Sequence, residues 1–368
     1  MLTINGSGIT HLVNVALALV NPVSDDQDVA LPAAWKLDSG AVDAAALANL
    51  TRDVTPIPCH SHNDYWRMVP LYDALRYGCT GVEADVWLFD NELFVGHDTN
   101  ALSDDRTFRS MYVDRLVELL DQQNQQNRFT TRDPETKVVN GIFQTAPAQP
   151  VVLLVDFKND GRAIYPVVLS QLAALREKNY LTYYDGTTLH QGPITVVATG
   201  NAPFDLISAE STRRDIFFDA PLDRMYEDPK APLELPPAPT TTTLTRGHSN
   251  AALRIRDGQG TVGTSPDSNF TSENSYYASV SFASTVGTLW FGHISPAQLD
   301  LIRGQIRGAK RRGLKVRYWA TPKWPISLRN RVWQVLIEEG ADYLNGDDLK
   351  GLTRVDWAAK RHHWWLGG

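Results

Sequence analysis

Only two cysteines, Cys59 and Cys79, and four methionines occur among the 368 residues. Two cysteines cannot staple a fold of this size, which excludes the disulfide-scaffold class. Nor is there a basic excess: 35 Lys+Arg stand against 42 Asp+Glu, a formal net charge of -7. That excludes a nucleic-acid binder held by phosphate neutralisation. No apolar run reaches the roughly 18 residues that a membrane-spanning helix needs. Leu12–Val20 is too short to span and no basic segment precedes it, so it makes a poor signal peptide. What is present is ordinary globular material, 43% hydrophobic and 10% aromatic, enough for a full core. A soluble, folded protein is expected, and an enzyme rather than a fibre or a disordered chain.

Residues 1–53 show no clear strand; Ala41–Leu50 has a helical pattern, and the segment is read as a leader packing on the main domain. From Pro56 short apolar runs alternate with longer amphipathic segments. The runs are Ile57–His60, Thr80–Leu88, Val151–Phe157, Ile194–Thr199, Ile216–Asp219, Tyr276–Phe282, Leu314–Ala320 and Ala341–Leu344. Helical patterns lie between several of them, at Leu71–Tyr77, Tyr112–Asn124, Ala163–Lys178, Pro296–Arg312 and Leu328–Glu339. Strands alternating with helices imply parallel pairing. Eight such units over residues 54–357 predict an α/β fold, a (β/α)₈ TIM barrel, with a doubly wound open sheet as the alternative. Asn124–Gln149 is a polar insert. A longer insert, Leu222–Asn274, is too rich in Pro, Thr and Gly to pack, and it follows strand five, where it opens onto the catalytic face as a lid or a plain surface excursion. Residues 358–368, ending RHHWWLGG, form a tail in which His362 and His363 are weak metal candidates and Trp364 and Trp365 could dock on the barrel or a membrane. In this scheme Cys59 ends one strand and Cys79 begins the next parallel one. They are then too far apart to bridge and are read as buried thiols, which leaves the redox compartment open. The sequons at Asn5, Asn49 and Asn269 matter only in a secretory protein.

Barrel active sites are built where strands end at their C-terminal face, and here the first three strand ends are polar. Strand one runs into His60-Ser61-His62-Asn63-Asp64-Tyr65, strand two carries Glu83-Ala84-Asp85 followed by Gly96-His97-Asp98, and strand three runs into Asp156-Phe157-Lys158. A period of two puts Glu83 and Asp85 on one side of their strand, and likewise Asp156 and Lys158. Three carboxylates and the Asn63 amide make an oxygen-ligand set suited to Mg²⁺, with Ca²⁺ as the alternative. That much negative charge in a cleft requires a cation. Lys158 supplies part of it and could hold a phosphate oxygen. His62 and His97 would serve as general base and general acid, and the combination points to phosphoryl chemistry.

The segments SHNDY, ALRYGCTGVEADVW and GHD resemble the phospholipase C pattern of SHNTY, AL..GC..VE.D.W and a following GH. The chain thereby resembles the PLC-like phosphodiesterase superfamily, and as a whole it is most similar to its fungal altered-inheritance-of-mitochondria 6 type. The resemblance implies a (β/α)₈ barrel with His62 and His97 catalytic and Asn63, Glu83 and Asp85 binding metal. The DFK at Asp156–Lys158 is similar to that of the venom sphingomyelinase D and glycerophosphodiesterase enzymes, which implies metal binding by Asp156 and phosphate contact by Lys158. RYWATP and ADYLNGDDL fit strands seven and eight, where Arg317 and Trp319 point one way and could line the pocket. The HR…PENT segment of the glycerophosphodiesterases does not occur, and no pleckstrin, EF-hand or C2 module is found.

The expected activity is therefore metal-dependent cleavage of a phospholipid or glycerophosphodiester-type substrate, through a cyclic phosphate where a substrate hydroxyl attacks. Two alternatives are a zinc hydrolase of the amidohydrolase type using His60-x-His62, and a catalytically silent lipid- or phosphate-binding barrel. The partners expected are the phosphodiester substrate and a peripheral membrane contact, with no nucleic acid, and the chain is expected to be a monomer. A secreted or endomembrane-lumen setting is favoured over the cytoplasm. His60 is read as an inward residue bonded to backbone, Asp64 as a partner orienting a histidine or as a turn residue, Trp66 and Arg67 as possible substrate contacts, and Trp87 and Trp290 as core.

Overall fold

Alternation along each strand decides this fold, because every barrel strand buries both of its faces. The structure is a computed structural model that describes residues 49–125, 139–232 and 259–359. Most of the expected leader, the middle of both inserts (residues 126–138 and 233–258) and the tail from residue 360, with His362, His363, Trp364 and Trp365, lie outside the described residues. In chain order the strands are β1 (Ile57–Ser61), β2 (Cys79–Phe89), β3 (Glu92–Val95), β4 (Val151–Phe157), β5 (Tyr183–Tyr184), β6 (Leu189–His190), β7 (Ile194–Gly200), β8 (Ile216–Pro221), β9 (Ser275–Ser281), β10 (Lys315–Trp319) and β11 (Tyr343–Gly346). β1, β2, β4, β7, β8, β9, β10 and β11 pair in that order, all parallel, and β1 pairs with both β11 and β2, so the sheet closes into an eight-stranded barrel. The helices are α1 (Tyr72–Arg76), α2 (Asp114–Gln123), α3 (Gly161–Gln171), α4 (Ala173–Glu177), α5 (Phe204–Ala209), α6 (Phe282–Thr285), α7 (Pro296–Arg311), α8 (Ile326–Glu338) and α9 (Leu349–Thr353).

Outward positions such as Val151, Leu153 and Val155 of β4, or Val316 and Tyr318 of β10, join the large core between sheet and helices. Inward positions Val152, Leu154, Val197, Tyr277 and Tyr343 form a separate cluster inside the barrel. The same inward faces carry Glu83, Asp85, Asp156, Asp219, Arg317 and Asn345 toward the C-terminal end, so one alternation positions both core and site. Helix ends follow local rules. Ser295 and Gln298 form a reciprocal cap on α7, which opens with Pro296 and ends with Lys310 and Arg311.

Three readings need correction. The described ends of the long insert do pack, with Leu222, Met225 and Phe270 buried. Cys59 and Cys79 form a disulfide, with Cα atoms 4.7 Å apart. β1 is short, and its register against β2 sets Ile57 beside Cys79 and His60 beside Gly81 through a bulge, so the two cysteines stand nearly level. Trp290 is not core: it sits 76% exposed in a turn that Phe291 enters at φ 51°. Between Asp85 and His97, outside the eight expected strands, lies β3, which returns antiparallel along β2 through a turn in which Asp90 and Asn91 both have positive φ (48° and 64°). His190 lies on β6 in a two-strand hairpin with β5. Trp87 is half-buried and donates its indole N–H to the Gly96 carbonyl at 2.8 Å.

The disulfide closes a segment of 20 residues that includes the whole loop after β1. Its removal as the Cys59→Ala/Cys79→Ala pair should lower unfolding stability by about 3 kcal/mol. Urea denaturation of the variant, and of the parent with and without reductant, measures this; an unchanged midpoint in both would refute it.

Candidate active site

The loop after β1 begins with a residue that most side chains could not occupy. Asn63 sits in the left-handed region (φ 47°, ψ 47°), which Asn tolerates better than other non-glycine residues. That conformation aims its backbone N–H at Glu83 Oε2, 2.8 Å away. Asp64 turns inward and is fully buried. It accepts from the Ser61 hydroxyl (2.7 Å), the Leu71 N–H (2.7 Å) and the Tyr112 hydroxyl (3.1 Å). Burial pushes its carboxyl up to about 6, against the pull of those hydrogen bonds. Asp64 thus anchors the loop and orients no histidine. Leu71, at φ 68°, is held in its strained conformation by the same carboxylate.

Glu83, Asp85 and Asp156 bring carboxylate oxygens within 4.8 Å of one another. Neighbouring register explains it, since Asp85 lies directly beside Asp156 across the β2–β4 pair. On the far side Gly200 (φ 66°) leaves the needed space; a Cβ there would fall 1.9 Å from Asp156 Oδ1. The Lys158 ammonium bridges Asp85 (2.8 Å) and Asp156 (2.6 Å). Three carboxylates against one ammonium leave two charges without compensation. Burial, then the charges of Asp156 and Glu83, raise the Asp85 carboxyl far above its ordinary range, although Lys158 opposes them. Burial works against the Lys158 charge, yet Asp156 and Asp85 outweigh it and raise its affinity for the proton. Asp85 Oδ1 is buried with no hydrogen-bond partner. An all-oxygen cluster with an orphaned oxygen and surplus negative charge fits a hard divalent cation. Among the described residues the cluster able to hold an ion is this one, and it includes no histidine.

Tyr65 ties the cluster to the histidines. Its hydroxyl lies 2.6 Å from Asn63 Oδ1, 2.6 Å from Asp85 Oδ2 and 3.1 Å from His97 Nδ1. His97 comes to this point because β3 returns beside β2, and its Nδ1 is 3.5 Å from Asp85 Oδ2. The imidazole is half exposed and stands 5.0 Å from the Trp66 ring, centroid to centroid. On the opposite wall His62 Nδ1 is 2.7 Å from Asp347 Oδ1, and its Nε2 faces Glu83 Oε2 at 3.9 Å. Burial alone would raise the Asp347 carboxyl; His62 and Lys323, whose ammonium is 2.7 Å from it, hold it well below the usual range. Arg67 spends its donors on Ser61 Oγ and the carbonyls of His62, Gly346 and Asp347, so it fastens the loop to β11.

Arg317 and Trp319 lie on the β10 side of the mouth. Arg317 is buried, and its guanidinium donates to Ser279 Oγ (3.0 Å), Asn345 Oδ1 (2.9 Å) and Asp219 Oδ2 (3.1 Å). Burial raises the Asp219 carboxyl even so. Trp319 donates its indole N–H to Gln259 Oε1 (2.8 Å), and Gln259 donates in turn to Asp219 (3.0 Å). His60 sits inside the barrel beside Gly81 and Tyr277. Its Nδ1 is 3.4 Å from the Tyr277 hydroxyl rather than bonded to backbone, and burial holds the imidazole neutral. The structure therefore gathers His62, Asn63, Glu83, Asp85, His97, Asp156 and Lys158 at one end, sets Arg317 and Trp319 across the mouth, and leaves His60 below. Sequence reasoning missed Tyr65, Asp347 and Gln259. Asp347 follows β11 directly, a position the strand-end rule would have flagged.

The sequence profile described as the AIM6-like phosphodiesterase domain matches residues 48–219. The altered inheritance of mitochondria protein 6 homolog of Arthroderma benhamiae is 35% identical over 311 residues, which is 82% of this chain and 84% of that protein. Altered inheritance of mitochondria protein 6 of Eremothecium gossypii is 34% identical, covering 84% of this chain and 72% of its own. The Saccharomyces cerevisiae protein of that name is 31% identical, covering 83% and 72%. No solved structure matches.

Replacement of Arg317 by Leu strands the Asp219 carboxylate without its cation. Loss of about 3–5 kcal/mol of stability is expected, read as the urea midpoint; a change below about 1 kcal/mol would show that the pair is not the buried bridge described.

Proposed function

The chain belongs to the AIM6-like phosphodiesterase family, and on that premise we propose that it is a divalent-cation-dependent phosphodiesterase acting on a phospholipid or glycerophosphodiester-type substrate. The observation that carries this reading is the convergence of the three carboxylates, Lys158, and two histidines whose Nδ1 atoms both face acidic or phenolic partners. Glu83, Asp85 and Asp156 would hold the cation, with Asn63 beside them; Mg²⁺ suits the set and Ca²⁺ is the alternative. When bound, the cation supplies charge neutralisation at the phosphoryl oxygens.

The remaining steps fall to the protein. Asp347, 2.7 Å from His62 Nδ1, would accept its N–H in competition with the Asn63 amide nitrogen, a donor at 3.1 Å, and so favour the tautomer that leaves Nε2 free to take a proton from the attacking hydroxyl. The oxygen–phosphorus bond forms as that proton leaves. His97 has Nδ1 turned to Tyr65 and Asp85, so its outward Nε2 gives a proton to the departing alkoxide as the second phosphorus–oxygen bond breaks. A substrate hydroxyl as attacker yields a cyclic phosphate, and water yields the monoester. Lys158, paired with Asp85 and Asp156, would meet a phosphate oxygen at the edge of the cluster. The Cys59–Cys79 disulfide supports an oxidising setting, secreted or in an endomembrane lumen.

The test is hydrolysis of glycerophosphocholine, glycerophosphoinositol, lysophosphatidylcholine, phosphatidylinositol and bis(p-nitrophenyl) phosphate, with and without EDTA. Turnover abolished by EDTA and restored by Mg²⁺ or Ca²⁺ is expected, with His97→Ala inactive yet folded. No turnover with any metal, or His97→Ala within a few-fold of the parent, would overturn the reading; rescue by zinc alone would favour the amidohydrolase alternative. Asp347→Asn should lower turnover about 10²–10⁴-fold, which steady-state rates on the best substrate measure.

A further inference from the structure

We propose that the rim of the barrel mouth formed by the loops after β1, β9 and β10 docks on a lipid bilayer, inserting Trp66, Met68, Trp290, Phe291, Trp324 and Ile326. The inference rests on the phosphodiesterase reading only in that it explains how a lipid-type substrate would reach the site.

Among the described residues eight large hydrophobic side chains are exposed, and these six are among them, at 54%, 87%, 76%, 90%, 75% and 57%. Singly scattered apolar residues are normal on a protein surface, whereas a gathering of them on one face is not. The three loops all follow the C-terminal ends of strands, and β9, β10, β11 and β1 are consecutive around the barrel, so the loops share one arc of the mouth. Two of them touch. A Cβ at Gly292, beside Phe291, would lie 3.6 Å from Leu328, two residues past Ile326. The arc also meets the site. Lys323, next to Trp324, pairs with Asp347, the partner of His62, while Trp66 stands against His97.

The chemistry of the arc favours a bilayer over a protein. A bilayer would bring phosphodiester headgroups to the mouth that these loops border, which a protein seated on the rim would not. Trp rings with flanking Phe, Met and Ile tips match the boundary between headgroups and acyl chains, where an amphipathic indole is favoured. Phe291 stands at a turn tip with positive φ and is the most exposed of the six. Lys323, 71% exposed, adds one cation to a chain whose net charge is -7. Attraction to anionic lipid is therefore weak, and apolar insertion must carry the binding.

The experiment is sedimentation of the full chain with phosphatidylcholine vesicles, at low and high salt, beside the Trp290→Ala/Phe291→Ala and Trp324→Ala/Ile326→Ala variants. The parent should partition onto the vesicles with little dependence on salt, and each variant should bind about tenfold or more weakly while hydrolysing a water-soluble diester at the parent rate. Circular dichroism confirms that the variants are folded. Because partitioning requires no turnover, an inactive protein that still binds vesicles would overturn the phosphodiesterase reading and leave this one standing. No vesicle binding, or equal binding by parent and variants, would overturn it. A concentration-dependent dimer lost in the variants, with no vesicle binding, would overturn it too and assign the arc to a second copy.

Discussion

Three carboxylates held together at the end of a barrel dominate this structure, because mutual repulsion and burial act on them at once. Glu83, Asp85 and Asp156 lie within 4.8 Å of one another, and water is largely excluded from two of them. Like charges in such a place persist only where cations and donors are supplied from elsewhere. The surrounding structure supplies them: Lys158 bridges two of the three, the Asn63 backbone N–H meets Glu83, and the Tyr65 hydroxyl meets Asp85. Much of the loop after β1 exists to deliver these partners, and Asp64, Arg67 and the disulfide fasten that loop in turn.

A second, separate polar network faces it across the mouth. Arg317 is consumed by Asp219, Ser279 and Asn345, which closes its charge locally. The two networks differ in charge balance. Each network keeps one unpartnered buried carboxylate oxygen, on Asp219 and on Asp85, but the Arg317 group is compensated by its own cation while the acidic cluster keeps surplus negative charge. Gln259, at the returning end of the long insert, binds both Asp219 and Trp319, so that insert contributes to the wall of the mouth.

The barrel was legible because period-two alternation and strand–helix repetition are properties of short windows of sequence. All eight expected strands occur, with Val152 and Leu154 inward and Val151, Leu153 and Val155 outward as that period requires. That the candidate residues would gather at one end was legible because they sit at strand ends in three compact segments. What could not be read depended on register and on the third dimension. The disulfide turns on a bulge between Ile57 and His60, the placement of His97 on a tight Asp90–Asn91 turn, and the partner of His62 on a residue 285 positions away. Trp290 escapes a reading from sequence because an aromatic residue carries no local mark of whether its turn packs inward.

The central claim is that Glu83, Asp85 and Asp156 form a cation site. Calorimetric titration of Mg²⁺ and of Ca²⁺ into metal-stripped protein, beside Glu83→Gln and Asp156→Asn, tests it without any need for substrate. The account predicts saturable binding of at least one of the two ions by the parent and its loss in both variants. Binding that is the same in parent and variants, or absent from the parent with either ion, would contradict it.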